Sequence, residues 1–391
     1  MRIGLDARNV GRPGGTGIAT YARALATAID EQGGQVAWLK EDRDNRKRRA
    51  QHASSAQAAR FMKALFSRSR IAVPADTQGN LLANDIFRIA HVHFNIHGTL
   101  LPVRTETPPA LMHWTCPLSL RLEGCRNIVT VHDLIPVLRP ELCDTDPRRM
   151  ERLLRAVIDD TTLVVTISET VRRDILQTFS VPPDRVRTIH QGVGFPDGLL
   201  LASIEARAPC PEGSFVYVGS IEKRKNIGRL IEAHGRSRTM RMLVLIGPDG
   251  YAAREELAAI NRHPHPERVL RLPWVERPQL IKALSTARAL AFPSLAEGFG
   301  LPIVEAMLLG TPVLTAEGGA TGEIAGNAAC LVDAESTDAI ADGLRRLSED
   351  DSLCDRLVSA GFARAGAFEP GHYARRINDL YSQVLNSPPA P

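Results

Sequence analysis

The chain has 391 residues, 44% hydrophobic and 24% charged. That balance excludes a disordered or collagen-like chain and, at about 100–200 residues per domain, favours two domains. No stretch approaches the run of about 18 apolar residues that a transmembrane helix needs, and six cysteines without a Cys-x-x-Cys pair argue against a disulfide framework or a structural zinc site. An acid at Asp6 and the lack of an apolar leader make a cytoplasmic location the expectation. The net charge of +4 conceals one basic arm: residues 43–70 hold nine basic residues and one acid, +8 in all, which leaves −4 for the remainder.

Short apolar runs alternate with amphipathic stretches, the pattern of an α/β protein with parallel sheets. In the first half, strands are expected at 3–5, 36–39, 90–94, 127–131 and 163–167. Helices are expected at 18–29, 148–158 and 170–179, the last behind a Ser168 cap. Residues 192–213 are loop-rich, with Pro196, Pro209 and Pro211, and the domain boundary falls near residue 205. The alternation restarts at Phe215, with strands at 215–218, 242–246, 269–272, 289–292, 312–315 and 329–331. Helices are expected at 227–236, 254–261, 279–285, 302–309 and 337–348. The expected units are a first domain over 1–205, a second over 206–372, and a tail over 373–391. The tail reads as a helix returning to the first domain, its apolar stripe formed by Ile377, Leu380, Tyr381, Val384 and Leu385. Two doubly wound, Rossmann-like domains would enclose a ligand cleft at the carboxyl ends of their strands.

The most informative segment runs Glu297-Gly298-Phe299-Gly300-Leu301-Pro302-Ile303-Val304-Glu305. It follows a strand and opens a helix, with Pro302 suited to the first turn. Unpaired backbone N–H groups around Phe299–Leu301 would meet a phosphate or sugar hydroxyls. Glu305 can accept from a vicinal diol such as a ribose, and Glu297 from sugar hydroxyls. Taken alone, the two acids also read as surface residues at a helix start, where the dipole favours them. Upstream, Gly219 and Ser220 end a strand before Arg224-Lys225-Asn226, two adjacent cations suited to a diphosphate or simply to a solvated turn. His132-Asp133 ends a strand of the first domain, and Gly14-Gly15-Thr16-Gly17 is a glycine-rich turn that lets the backbone approach a ligand.

These motifs, in this order and spacing, resemble the retaining family-four glycosyltransferases of the GT-B fold. The resemblance covers nearly the whole chain and rests on Gly14–Tyr21, Thr130–Pro136, Thr166–Glu169, Tyr217–Asn226 and the Glu297–Met307 segment. It implies a nucleotide-sugar donor held by Gly15, Thr16, Gly17, Gly219, Ser220, Arg224, Lys225, Gly247, Glu297, Gly298, Phe299, Gly300, Leu301 and Glu305. A base slot is implied around Leu272-Pro273-Trp274, although Pro273 stands where the family usually has glycine. Ser220 stands where many relatives have arginine, so the paired phosphate contact falls to Arg224 or is weaker. His132 would lie beside the donor sugar, with Glu297, Lys225 and Arg224 completing the catalytic group. The resemblance further implies front-face substitution, the leaving phosphate accepting the acceptor's proton, with no cofactor and no metal required.

His91, His93 and His97 invite a metal reading. On an extended strand, residues 91 and 93 would share one face, but no acid or cysteine stands nearby and no metal site is expected. The pairing of His-Asp-Leu-Ile-Pro with Glu-x-Arg-Lys-Asn looks most like bacterial mannosyltransferases of surface-polysaccharide assembly. The expected donor is therefore GDP-mannose and the acceptor a glycan or lipid-diphosphate-linked glycan, with a UDP-sugar transferase as the alternative. A hydrolysing epimerase or a phosphorylase shares the fold. A nucleotide-dependent oxidoreductase is disfavoured because eight residues separate the first strand from Gly14, too many for a dinucleotide fingerprint. A non-enzymatic membrane scaffold would rest on the basic arm. There Phe61, Met62, Leu65 and Phe66 share a helical face flanked by Arg60, Lys63 and Arg68, suited to an anionic membrane surface. The net-negative remainder disfavours nucleic acid.

Overall fold

A computed structural model describes residues 1–10, 17–41 and 71–387. The basic segment 43–70 and the loop residues Gly14, Gly15 and Thr16 lie outside the described residues. The strands of the first half are β1 (Arg2–Asp6), β2 (Gln35–Glu41), β3 (Ile71–Ala72), β4 (Leu81–Ala83), β5 (Leu101–Arg104), β6 (Leu111–Trp114), β7 (Leu120–Leu122), β8 (Arg126–Val131), β9 (Leu163–Thr166) and β10 (Val186–Thr188). Those of the second half are β11 (Phe215–Val218), β12 (Leu243–Ile246), β13 (Val269–Leu272), β14 (Ala289–Phe292), β15 (Val313–Ala316) and β16 (Cys330–Val332).

They build two main parallel sheets, ordered β10-β9-β8-β6-β1-β2-β4 and β13-β12-β11-β14-β15-β16, with a small third sheet β3-β5-β7 beside the first. The protein is thus a GT-B fold of two Rossmann-like domains. Every residue of β6, β9, β11, β12, β14 and β15 is buried. Burial on both faces is why these strands read as continuous apolar runs rather than alternating ones. In each sheet the order reverses beside a central strand, β1 or β11, and there the loops diverge to leave a crevice.

Three sequence expectations are corrected. Residues 90–94 are not a strand but lie inside the helix Ile86–His97, which buries Ile86, Ile89, Ala90, His93 and Phe94, a helical stripe. His91 and His93 therefore do not share a face: His91 meets Arg149, while the His93 ring lies tilted against His97 with centroids 4.6 Å apart. Within the loop-rich 192–213 segment, Asp197–Glu205 is a helix. It packs on the helix Arg277–Ser285 of the second domain, so the chain crosses over before residue 197 rather than near 205. The boundaries of 1–205 and 206–372 shift accordingly.

The final helix, Pro370–Asn386, crosses back and packs along Gly17–Glu31 of the first domain. It is fixed by a buried polar chain. Tyr381 Oη and His113 Nδ1 are 2.7 Å apart, His113 Nε2 and Thr130 Oγ1 2.8 Å, and Tyr21 Oη and Thr130 Oγ1 2.7 Å. Burial, and then the neighbouring His132, push the His113 pKa down to about 3, so this ring is neutral and the chain carries no net charge. Among the described residues, no helix is long and apolar enough to cross a membrane.

Candidate active site

The carboxyl ends of β11 and β12 are pinched together. A Cβ on Gly247, at φ 141°, would stand 2.1 Å from the Gly219 carbonyl oxygen, so only glycine fits there. Past Gly219 the chain turns through the short 3₁₀ helix Lys223–Lys225. Asn226, in left-handed conformation at φ 64°, anchors that turn by donating its side-chain amide to the carbonyls of Pro293 and Ala334. The Leu295 N–H donates to the Arg224 carbonyl at 2.8 Å. Both cations are thereby fixed against the segment leading to Glu297.

Glu297 accepts from Arg224 Nη1 at 2.8 Å through one carboxylate oxygen and from Lys225 Nζ through the other. Its side chain is 9% exposed and that of Lys225 10%. Burial alone would raise the Glu297 pKa, but Lys225 and then Arg224 overcome it and hold the carboxyl down at about 2. Arg224 also bonds Glu222 at 2.8 Å. Burial works against its charge, yet Glu297, Glu222 and Asp133 together raise its pKa. The Lys225 ammonium sits 5.0 Å from the centroid of the Phe292 ring. The site is a preformed cluster of two cations and nearby acids.

The first domain closes the other side. A Cβ on Gly298 would lie 1.9 Å from the His132 carbonyl oxygen, so the Glu297–Gly300 loop abuts the end of β8 directly. His132 Nε2 donates to the Thr115 carbonyl at 2.8 Å, because a carbonyl can only accept; in the neutral ring this leaves Nδ1 as an acceptor. Its ring meets Tyr21 edge-on, with centroids 4.9 Å apart. Burial lowers the His132 pKa against the opposing pulls of Thr115 and Asp133, which favours the neutral ring near pH 7. Asp133, whose pKa burial raises, accepts from the Ile135 N–H at 3.1 Å and feels the charge of Arg224 across the cleft.

Gly300 is the N-cap of the helix Leu301–Leu308, with Pro302 in its first turn, and Phe299 is buried against Phe368 with ring centroids 5.6 Å apart. Glu305, one turn in, does not share the Glu297 cluster. Its carboxylate is gripped by Arg277, a residue that sequence reasoning missed. Arg277 begins the helix Arg277–Ser285 behind a Glu276–Gln279 capping box, and its guanidinium lies 5.4 Å from the Phe195 ring centroid. The capping box was the available signal that this residue opens a helix at the cleft.

Leu272 ends β13 and its carbonyl accepts from the Gly247 N–H at 3.0 Å. Trp274 is 68% exposed. The Ser220 carbonyl accepts from Tyr217 Oη at 2.8 Å, and Gly17 is the first residue of the helix Gly17–Glu31. The structure thus brings together His132, Asp133, Arg224, Lys225, Glu297 and Gly298, with Glu305 and Arg277 forming a second pair. Among the described residues, no group of three His, Cys, Asp or Glu side chains is arranged to hold a metal ion.

Comparison with known proteins agrees with this architecture. Residues 15–194 match the family model described as Glycosyltransferase Family 4, and residues 207–364 that described as Glycosyl transferases group 1. The chain is 30% identical to O-antigen chain mannosyltransferase B of Escherichia coli over 261 residues, covering 64% of this chain and 68% of that protein. Sucrose-phosphate synthase from Thermosynechococcus elongatus superposes with a TM-score of 0.72 at 18% identity, covering 98% of this chain and 99% of that one. HepE from Anabaena, solved in complex with UDP-glucose, superposes with a TM-score of 0.66 at 16% identity, covering 98% and 100%.

Proposed function

The chain belongs to the family-four glycosyltransferases of the GT-B fold, and from that membership we propose that it transfers mannose from GDP-mannose, with retained anomeric configuration, to a hydroxyl of a glycan or lipid-linked glycan. The observation that carries this reading is the bridging of Arg224 and Lys225 by Glu297 directly opposite His132. A nucleoside diphosphate departing from the anomeric carbon gains negative charge, and two fixed cations in a buried site stabilise that charge more than they stabilise the bound donor. Arg224 supplies a planar fork and Lys225 a compact charge. The N-terminus of the helix Leu301–Leu308 adds free N–H groups.

Glu297 accepts from the hydroxyls of the transferred sugar, and His132 Nδ1 accepts from another. Glu305, oriented by Arg277, accepts from the ribose diol. The acceptor oxygen attacks the anomeric carbon on the face the diphosphate leaves, and its proton passes to the departing phosphate oxygen. No cofactor takes part. Mannose is favoured by the name of the Escherichia coli relative and by the His132-to-Pro136 and Glu222-to-Asn226 motifs. Thermal unfolding against a panel of nucleoside diphosphates, followed by transfer assays with the matching sugars, tests the reading. GDP is expected to protect most and GDP-mannose to be turned over. Stronger protection by UDP would replace the donor, and protection by neither would defeat the transferase site as built.

A further inference from the structure

A cavity of about 100 Å³ opens in the first domain, lined by Arg8, His91, Leu118, Ser119 and Arg149 among others, with no carboxylate on its wall among the described residues. It lies on the cleft side of the sheet. Arg8 is two residues past β1, and the 117–120 segment begins two residues after Thr115, whose carbonyl receives the His132 hydrogen bond. Arg149, half-buried on the helix Pro147–Asp160, is held by neutral groups: it donates from Nε to Asn95 Oδ1 at 2.9 Å and from Nη2 to His91 Nδ1 at 2.7 Å. Neither Arg8 nor Arg149 has an ion-pair partner among the described residues. The neighbouring Asp146 accepts from the Arg148 and Arg149 N–H groups as the helix cap, and its charge also favours the charged form of Arg149. Burial, and then Arg8, lower the Arg149 pKa; burial, Arg149 and Arg8 in turn lower that of His91. Two arginines therefore line one small space, Arg8 exposed and Arg149 half-buried, and an anion entering it would meet two fork-shaped donors at once.

We propose that this cavity is a subsite for a phosphate-type anionic group of the acceptor, with Arg8 and Arg149 as its fork-shaped ligands and His91 as the neutral group that orients Arg149. The volume suits a phosphate and not a sugar ring, since sites for whole small molecules run to about 300 Å³ or more. Its 117–120 wall follows Thr115, whose carbonyl meets His132, which sets the subsite on the first domain's side of the cleft. The assignment rests on the transferase reading above.

Binding of inorganic pyrophosphate to the full chain held saturated with GDP tests the subsite separately from the donor site. Wild-type protein is expected to take up pyrophosphate under these conditions, and the double variant Arg8→Gln/Arg149→Gln to bind it at least about tenfold more weakly while binding GDP unchanged. No uptake beyond what GDP blocks, or equal uptake by the double variant, overturns the subsite. Pyrophosphate uptake that depends on both arginines in a protein that binds no nucleoside diphosphate would defeat the donor reading and leave this site standing. In transfer assays, pyrophosphate should compete with a sugar 1-phosphate acceptor, and wild-type preference for that acceptor over the unphosphorylated sugar should vanish in the double variant. Inhibition that is not competitive with that acceptor would mark a site for free phosphate and overturn its assignment to the acceptor.

Discussion

The carbonyl oxygen of His132 occupies the place that a side chain at residue 298 would need: a Cβ on Gly298 would lie 1.9 Å from that oxygen and 3.3 Å from the Asp133 Cβ. Real Cβ contacts essentially never fall under 3.0 Å. Because the two residues belong to different domains, their approach sets how closely the Glu297 cluster can face His132. Gly298→Ala should push the loop away from β8 by about an ångström while leaving the cations and Glu305 in place. A misplacement of that size costs about 10²-fold in rate. Transfer should therefore collapse while nucleoside diphosphate affinity changes little. Wild-type transfer by this variant would show that the contact does not set the catalytic geometry.

The residues that carry chemistry were legible because they fall in short motifs whose backbone is itself constrained. Gly219, Gly247, Gly298 and Gly300 mark where strands end and loops close in, and Glu297, Arg224 and Lys225 sit within a few residues of them. The helix Ile86–His97 was misread because Ala90-His91-Val92-His93-Phe94 alternates at a period of two over a short window, while its burial follows a stripe visible only from Ile86 onward. The central strand β6 was not read because His113 interrupts its apolar run, and His113 is tolerated there only because Tyr381 and Thr130 satisfy both ring nitrogens. Arg277 escaped for a different reason. Its partner Glu305 is 28 residues away, and no local pattern states that a distant carboxylate needs a cation.

Glu305 is 7% exposed and held by Arg277, so its carboxylate is oriented before any donor arrives. Glu305→Ala should weaken GDP binding by about 1.5–3 kcal/mol, the worth of hydrogen bonds to a charged acceptor. Arg277→Ala should also weaken it, by less, because the carboxylate survives but loses its orientation. Calorimetry checks both. Unchanged affinity in Glu305→Ala would remove the ribose role from this residue.

The basic segment makes a prediction from charge alone. Residues 43–70 carry +8, and each cation near an anionic bilayer surface contributes about 1 kcal/mol. Sedimentation with liposomes should show binding that requires anionic lipid, falls with salt, and drops when Arg46, Lys47, Arg48 and Arg49 are changed to Ser. Equal binding to neutral and anionic vesicles, or none to either, would retire a membrane role and leave the transferase chemistry untouched.

The second contact between the domains is electrostatic, and it gives the fold a defined acid sensitivity. Glu323, on the helix Gly319–Ala325 of the second domain, accepts from the N–H groups of Glu169 and Thr170, each at 2.7 Å, from Thr170 Oγ1 at 2.8 Å and from His190 Nε2 at 2.9 Å, all in the first domain. It thereby lies at the N-terminus of the helix Glu169–Thr178, where the dipole favours an anion. Burial alone would raise the Glu323 pKa, but the His190, Glu169 and Thr170 hydrogen bonds overcome it and bring the value down to about 2, from an ordinary 4.5. A carboxyl whose pKa is lower in the folded state stabilises that state fully above its unfolded value. The contribution, on the order of 3 kcal/mol, fades as the pH falls from 4.5 toward 2. Glu323→Gln turns one acceptor oxygen into a donor that faces donors already in place, so it should lower the urea midpoint near pH 6. Glu297 titrates over the same range in both proteins and cancels in the comparison. The difference in stability between wild type and Glu323→Gln should therefore be largest near neutral pH and shrink steadily below pH 4.5. A difference that stays constant from pH 6 to pH 3 would mean that the charge of Glu323 does not hold the domains together.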